Sequence, residues 1–441
     1  MTEPYFPQRG NEGYQITHYD LGLVYRISSN RLDGGAVLTA TATGPEPLRE
    51  FTLDLSGALR VERVAIDTEH KVVRARHTQR TDKLRVVLAE PLAAGQAFKI
   101  EVRYSGAPKL MNSRYGGLGW EQLTDGVLVA SQPIGAPSWF PCDDRPDRKA
   151  SYTITVTTQG AYHVVANGVL VDRKGGGANT TWTYRQDEPM ATYLASVQIG
   201  KYRSVELSNR GVQQRLVVPP RFVSRAKTAF AKQPRMIEVF ERFYGPYPFE
   251  GGYTAVIADD DLEIPIEAQG MSIFGVNHLA AAWENERLIA HELSHQWFGN
   301  SLTIVDWRDI WLHEGFAAYS EWLWSEVSGQ RSADEHARRW HQRLAKRPQD
   351  LVLGDPGPAD MFDDRVYKRG ALTLHALRLT IGDVAFLRIL RQWTAAHRHG
   401  GVRTEDFIKL VTSSETPVMT HPDTFFERWL ESPKLPPLPP A

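Results

Sequence analysis

A single cysteine, Cys142, stands among 441 residues, so neither an internal disulfide nor a thiolate-built metal centre can form within the chain. Absence of disulfides fits a reducing compartment. Charge of either sign is not in excess: the formal net charge is -1, without the basic surplus or basic stripe of a nucleic-acid binder. Nowhere does the chain carry the run of about 18 apolar residues that a membrane-spanning helix needs. The opening residues, MTEPYFPQRGNEGYQITHYD, lack the basic and apolar regions of a secretory leader. A cytoplasmic protein is therefore expected, with neither nucleic acid nor membrane as a partner. Oligomeric state leaves no mark in the sequence.

What is present is ordinary globular material, 42% apolar and 23% charged, and enough of it for two or three domains. Its character changes along the chain. Residues 36–43 (AVLTATAT) are rich in β-branched side chains, and 83–88 (KLRVVL), 98–104 (FKIEVRY) and 152–156 alternate with period two. Turn signals such as Asp33-Gly34-Gly35 and Gly175-Gly176-Gly177 separate these runs, as in antiparallel sandwich-like sheets. Beyond residue 203 an extended RLVVPP leads into helical periodicity from about Val223. The clearest helical stretches are 284–298, 307–328, 367–380 and 384–397, with stops at Gly299-Asn300 and Gly382. A short β segment, 253–258, interrupts the helices. The expected architecture is a multidomain α+β chain, with a β-domain over 1–203 and a mainly helical domain over 204–441. The proline-rich tail, SPKLPPLPPA, reads as an extended strap or a frayed end, with an SH3-type ligand as the alternative.

Residues 291–295 are His-Glu-Leu-Ser-His. On a helix, positions i and i+4 share a face, so the imidazoles of His291 and His295 can reach one metal ion. Glu292 is rotated about 100° from His291 and falls beside the metal. The flanking Leu288, Ile289, Leu293, Trp297 and Phe298 bury the helix, and buried histidines and glutamates need partners. Eighteen residues separate His295 from Glu314, which lies amid Trp311, Leu312, Gly315 and Phe316. Asp306 is the expected N-cap of its helix, with Asp309 three residues on, which places Glu314 two turns in. Two imidazoles and one carboxylate suit a single zinc ion and leave a fourth position for water, the mark of a catalytic centre. Zinc lowers the pKa of such a water towards about 7, and Glu292 is the candidate base.

Together, His-Glu-Leu-Ser-His-Gln-Trp-Phe-Gly-Asn (291–300) and Trp-Leu-His-Glu-Gly-Phe (311–316) resemble the aminopeptidase N family of gluzincins. The resemblance extends to Phe-Pro-Cys-Asp-Asp-Arg-Pro-Asp-Arg-Lys-Ala (140–150), Arg-Val-Tyr-Lys-Arg-Gly-Ala (365–371) and Phe-Phe-Glu-Arg-Trp-Leu (425–430), and so covers essentially the whole chain. It implies a saddle-like N-terminal β-domain followed by a thermolysin-like catalytic domain, in a short form without the family's long helical C-terminal domain. It also implies roles. Tyr367, by itself a packing tyrosine at a helix start, matches the tyrosine that donates to the oxyanion. Glu267 matches the acidic residue of the Gly-x-Met-Glu-Asn signature, of which only the glutamate is retained in Ile-Pro-Ile-Glu-Ala-Gln-Gly (264–270). That glutamate holds the substrate's α-ammonium. Gln132 falls where relatives place a residue of the first subsite. His313 reads as packing rather than as a ligand, Asp309 as a cap or as the orienter of a ligand histidine, and Cys142 as a buried structural thiol.

The function these residues imply is a zinc aminopeptidase acting on peptides with a free α-amine. Two alternatives stay open: a zinc endopeptidase or non-peptide hydrolase of the same fold, and an inactive peptide-binding protein.

Overall fold

A computed structural model describes residues 3–69, 71–413 and 422–440; Met1 and Thr2 of the opening text and Ala441 of the proline-rich tail lie outside the described residues. The chain divides into two compact units. The first comprises Met1–Glu206, Arg215–Ser224 and Phe249–Asn277, and the second Leu207–Gln214, Arg225–Pro248 and His278–Ala441.

Strands dominate the first unit. Eight form one sheet, in the order Val169–Gly175, Asn179–Met190, Ala150–Gln159, Tyr14–Arg26, Arg31–Ala42, Ala97–Gly106, Leu59–Thr68, Val72–Val73. Its pairings are antiparallel except that Tyr14–Arg26 runs parallel to Ala150–Gln159, with Leu21 opposite Ile154 and Leu23 opposite Val156. These four residues are fully buried, as period-two patterning requires of an inward face. A second sheet runs in the order His163–Ala166, Val197–Gly200, Gly126–Ala130, Gly116–Leu123, Met111–Ser113.

A further sheet orders Arg203–Ser208, Gln214–Val218, Tyr253–Ile257, Met271–Phe274 and Ile266–Ala268. Its Val217, Val256, Ala268, Met271 and Ile273 pack with Leu128 and Val165 into one buried cluster. The hairpin from Ile266–Ala268 to Met271–Phe274 turns at Gly270, whose φ of 75° favours glycine, and it places Glu267 opposite Ser272.

The second unit is helical. In chain order its helices are α1 (Val223–Ala229, which begins in the first unit), α2 (Gln233–Tyr244), α3 (Trp283–Ser294), α4 (Trp311–Val327), α5 (Ala333–Leu344), α6 (Gly357–Asp360), α7 (Asp364–Ile381), α8 (Asp383–Ala396), α9 (Thr404–Ser413) and α10 (Pro422–Phe426). Helix α4 is buried on every side from Trp311 to Ser325, a mostly apolar stretch in which Glu314 and Glu321 are enclosed charges. Helix α7 crosses α4 at two facing glycines: a Cβ on Gly370 would sit 2.6 Å from the Gly315 Cα. The absent side chains let the two backbones approach to contact. The α+β order along the chain, β-rich and then helical, agrees with the expectation from patterning.

Candidate active site

Helix α3 enters from the surface with Glu284 and Glu286 in its first turn, where carboxylates complement the helix dipole. From Ile289 to Ile304 every residue is buried. The regular helix ends at Ser294, four residues before the expected end. Beyond it the chain makes longer-range turns, with the amides of Asn300, Ser301 and Leu302 donating to the carbonyls of His295, Gln296 and Trp297. Gly299 permits this path: its φ is 125°, and a Cβ there would lie 3.3 Å from the His295 Nδ1. His295 keeps helical dihedrals and so still shares a face with His291.

The start of α4 also departs from expectation. A 3-10 turn, Trp307–Asp309, precedes the α-helix, and Glu314 lies in the first α-turn rather than two turns in. Asp306 makes no side-chain cap bond; its carboxylate meets Arg403 and Arg308 instead. Asp309 does not orient a ligand histidine. Its Oδ1 accepts from the Thr404 hydroxyl at 2.6 Å and the Thr404 amide at 3.3 Å. Both carboxylates found long-range partners that outcompete a local cap. His313 is not among the clustered donors, and its Nε2 accepts the Ile304 N–H at 3.0 Å.

His291, His295 and Glu314 come together with one potential ligand atom each, all within 4.8 Å of one another. Glu314 Oε2 lies 3.4 Å from His291 Nε2 and 3.6 Å from His295 Nε2. Donors at roughly 2.1 Å from a tetrahedral zinc are separated by about 3.4 Å, so the spacing fits one zinc ion. The other ring nitrogens are held in place. His295 Nδ1 is 2.9 Å from the Phe298 carbonyl, which can only accept, so Nδ1 carries the proton and Nε2 offers its lone pair. His291 Nδ1 is 2.9 Å from Glu321 Oε1, which fixes the same tautomer for a neutral ring.

Glu321 is the residue the motif reading missed. It is buried on α4 two turns after Glu314, and besides the His291 imidazole it faces two cationic groups, Arg287 at 3.3 Å and Lys368 at 3.7 Å. Burial works against its charge, but Lys368, His291 and Arg287 outweigh burial and hold the carboxyl at about 2. Burial pushes the His295 imidazole down to about 4, so it is neutral. Burial also opposes charge on His291, yet Glu314 and Glu321 overcome it and raise that imidazole. Glu292, fully enclosed, is raised by burial, and Glu314 and Glu321 add to the rise against His291. A base whose pKa is lifted towards working pH can both take and return a proton.

Tyr367 projects from the first turns of α7, which Asp363 caps by accepting the Arg365 amide at 2.8 Å. Its ring stacks on His291, with centroids 6.0 Å apart and planes 20° from parallel. In the first unit, Gln132 and Glu267 meet: Gln132 Nε2 donates to Glu267 Oε1 at 2.6 Å. Glu267 is buried in its hairpin strand and Gln132 is half-buried just after Gly126–Ala130.

Two family models match the chain: the peptidase M1 N-terminal domain over residues 15–194 and the peptidase family M1 domain over 228–429. A solved two-domain M1 zinc metallopeptidase, determined with L-arginine bound, is 30% identical with a TM-score of 0.87, and the match covers 99% of each chain. The chain belongs to peptidase family M1. Another M1 zinc metallopeptidase structure, a mutant from Deinococcus radiodurans bound to a Tyr-Ser-Ala substrate, is also 30% identical at a TM-score of 0.87, over 99% of each chain. Among curated M1 relatives, endoplasmic reticulum aminopeptidase 1 of Mus musculus is 26% identical over 74% of this chain and 38% of its own length. Aminopeptidase N of Haemonchus contortus is 25% identical over 81% of this chain and 40% of its own length. The chain thus spans well under half the length of these curated relatives. M1 enzymes use a single catalytic zinc, which agrees with one donor triad of two imidazoles and a carboxylate.

Proposed function

We propose that this chain is a zinc aminopeptidase that releases the first residue of peptides with a free α-amine. The observation that carries the proposal is the near-tetrahedral spacing of the His291, His295 and Glu314 donors beside a buried carboxylate, Glu292. Zinc in that triad would supply a Lewis acid for the scissile carbonyl and lower the pKa of the attacking water. Glu292 accepts the proton of that water and returns it to the departing amine. The Tyr367 hydroxyl donates to the developing oxyanion, a contact whose loss typically costs about 100- to 1,000-fold in turnover. Glu267, held by Gln132, receives the substrate's α-ammonium through a charge-assisted hydrogen bond and so registers the chain end.

In the same reading, residues 1–203 form the β-domain and 204–441 the catalytic domain. Peptides are the partners; neither nucleic acid nor a membrane is. No helix among the described residues is long and apolar enough to cross a membrane. The cytoplasm is the proposed site of action, supported by the lone, buried Cys142.

The test is a panel of aminoacyl amides, each with a free and an acetylated amine, assayed before and after chelation. Hydrolysis of the free-amine set alone, lost on chelation and restored by zinc, is expected. Cleavage of the acetylated set would remove Glu267 from its role and make the enzyme an endopeptidase. Inactivity towards both sets with zinc bound would move the function to a non-peptide substrate or to binding.

A further inference from the structure

Three consecutive residues of α7 face three different structures. Tyr367 stacks on His291, Lys368 reaches Glu321, and Arg369 turns towards the proline-rich segment, residues 432–440. Arg369 is buried, 4% exposed, and its described hydrogen bonds all go to backbone carbonyls. Nε donates to Trp429 at 3.1 Å; Nη1 donates to Leu351 at 3.1 Å and Pro433 at 2.9 Å. Nη2 donates to Arg428 at 3.3 Å, Lys434 at 3.4 Å and Ser432. Residues 427–431 form a helical turn, so the Arg428 and Trp429 carbonyls belong to a helix C-terminus, where carbonyls lack intrahelical partners. The following segment adds three more carbonyls aimed the same way. Without a cation between them these dipoles would repel, so the segment and Arg369 hold each other.

The segment is fastened again further along. Leu435 N–H donates to Gln349 Oε1 at 2.8 Å, and the Pro436 carbonyl is 2.7 Å from His341 Nε2 on α5. Prolines 433, 436, 437, 439 and 440 restrict its backbone, so little entropy is lost on docking. One end of α7 is therefore gripped from outside, two residues from the tyrosine whose placement within about an ångström governs turnover.

We propose that residues 432–440 act as a brace for the active site, with Arg369 as a positioning residue: the docked segment fixes the first turns of α7 and thereby the Tyr367 hydroxyl. The proposal rests on the oxyanion role of Tyr367. It also assigns the segment an intramolecular partner in place of an SH3-type domain.

The experiment compares wild type, Tyr367→Phe, the brace variant His341→Ala/Gln349→Ala, and the triple variant combining them. The brace pair touches the segment and leaves α7 intact; Arg369→Lys, which exchanges a planar fork for a point charge, is a stronger version whose folding is checked separately. Expected is a fall in kcat of about tenfold for the brace variant, with KM and zinc content unchanged. That fall should vanish in the Tyr367→Phe background, because a tyrosine already without its hydroxyl has nothing left to misplace. Wild-type kcat in the brace variant, or an equal fall in both backgrounds, overturns the brace. Full activity of Tyr367→Phe overturns instead the oxyanion role, and the brace with it.

Discussion

Replacing Gly315 or Gly370 by alanine tests whether the contact between α4 and α7 sets the geometry of the site. In an exposed helix the exchange would stabilise by about 1 kcal/mol, because alanine is the better helix former. Here the new Cβ meets backbone. On Gly370 it would lie 2.6 Å from the Gly315 Cα and 3.4 Å from its nitrogen; on Gly315 it would lie 2.8 Å from the Gly370 Cα. Carbon atoms prefer about 3.5–4.0 Å, so the helices must part by roughly 1 Å, and no rotamer can relieve the strain. Overpacking of this kind costs about 1–3 kcal/mol, which the propensity gain offsets only in part. Stability should therefore fall by about 0–2 kcal/mol. Turnover should fall further, by about 100-fold, because Glu314 sits on one helix next to Gly315 and Tyr367 on the other three residues before Gly370. Thermal melting, zinc content and kcat on a free-amine aminoacyl amide give the three readings. Wild-type kcat together with a raised Tm in both variants would show that the crossing does not position the site.

Glu292→Gln keeps shape and removes the base; zinc content should be unchanged and kcat should drop at least 100-fold, and activity retained by zinc-loaded variant protein would remove Glu292 from its role. Glu321→Gln leaves an acceptor for His291 but strips the charge that Arg287 and Lys368 face, so zinc affinity, measured by competition with a chelator, should fall about 10- to 100-fold. An unchanged affinity would make Glu321 a packing residue. Asp309, raised by burial to about 6 against roughly 3.9 when unfolded, adds stability below pH 4 that is lost as pH rises through 6. Asp309→Asn should therefore gain Tm relative to wild type between pH 4 and 7; a pH-independent difference would show that Asp309 is ionised throughout.

The meeting of His291, His295 and Glu314 was legible because each member obeys a local rule: two histidines at helical spacing, and a glutamate in an apolar helix where an idle charge has no place. Glu321 obeys the same rule. It lies seven residues after Glu314, on the same side of α4, in a text of tryptophans and leucines. A search stopped at three ligands passes over it, whereas asking what fixes each imidazole would have reached it. The caps failed for the opposite reason. Asp306 and Asp309 fit a cap pattern over four residues, but Arg403 and Thr404, nearly a hundred residues away, offer a buried carboxylate stronger partners than one helix amide. Local patterns predict well where burial and periodicity decide, and poorly where distant polar groups compete. Gly315 and Gly370 mark the limit of such reading. Each appears in the sequence only as a weak spot in a helix, yet each alone is uninformative because its meaning is the other: the close crossing needs both Cβ positions bare at once. Arg369 is of the same kind. A charged residue in a helical pattern reads as solvent-facing until the carbonyls that surround it, sixty residues on, are in view. The parts of the site that hold the chemistry are thus short-range and readable, while the parts that hold it still are pairwise and long-range, which is why tests of positioning must perturb two places and compare.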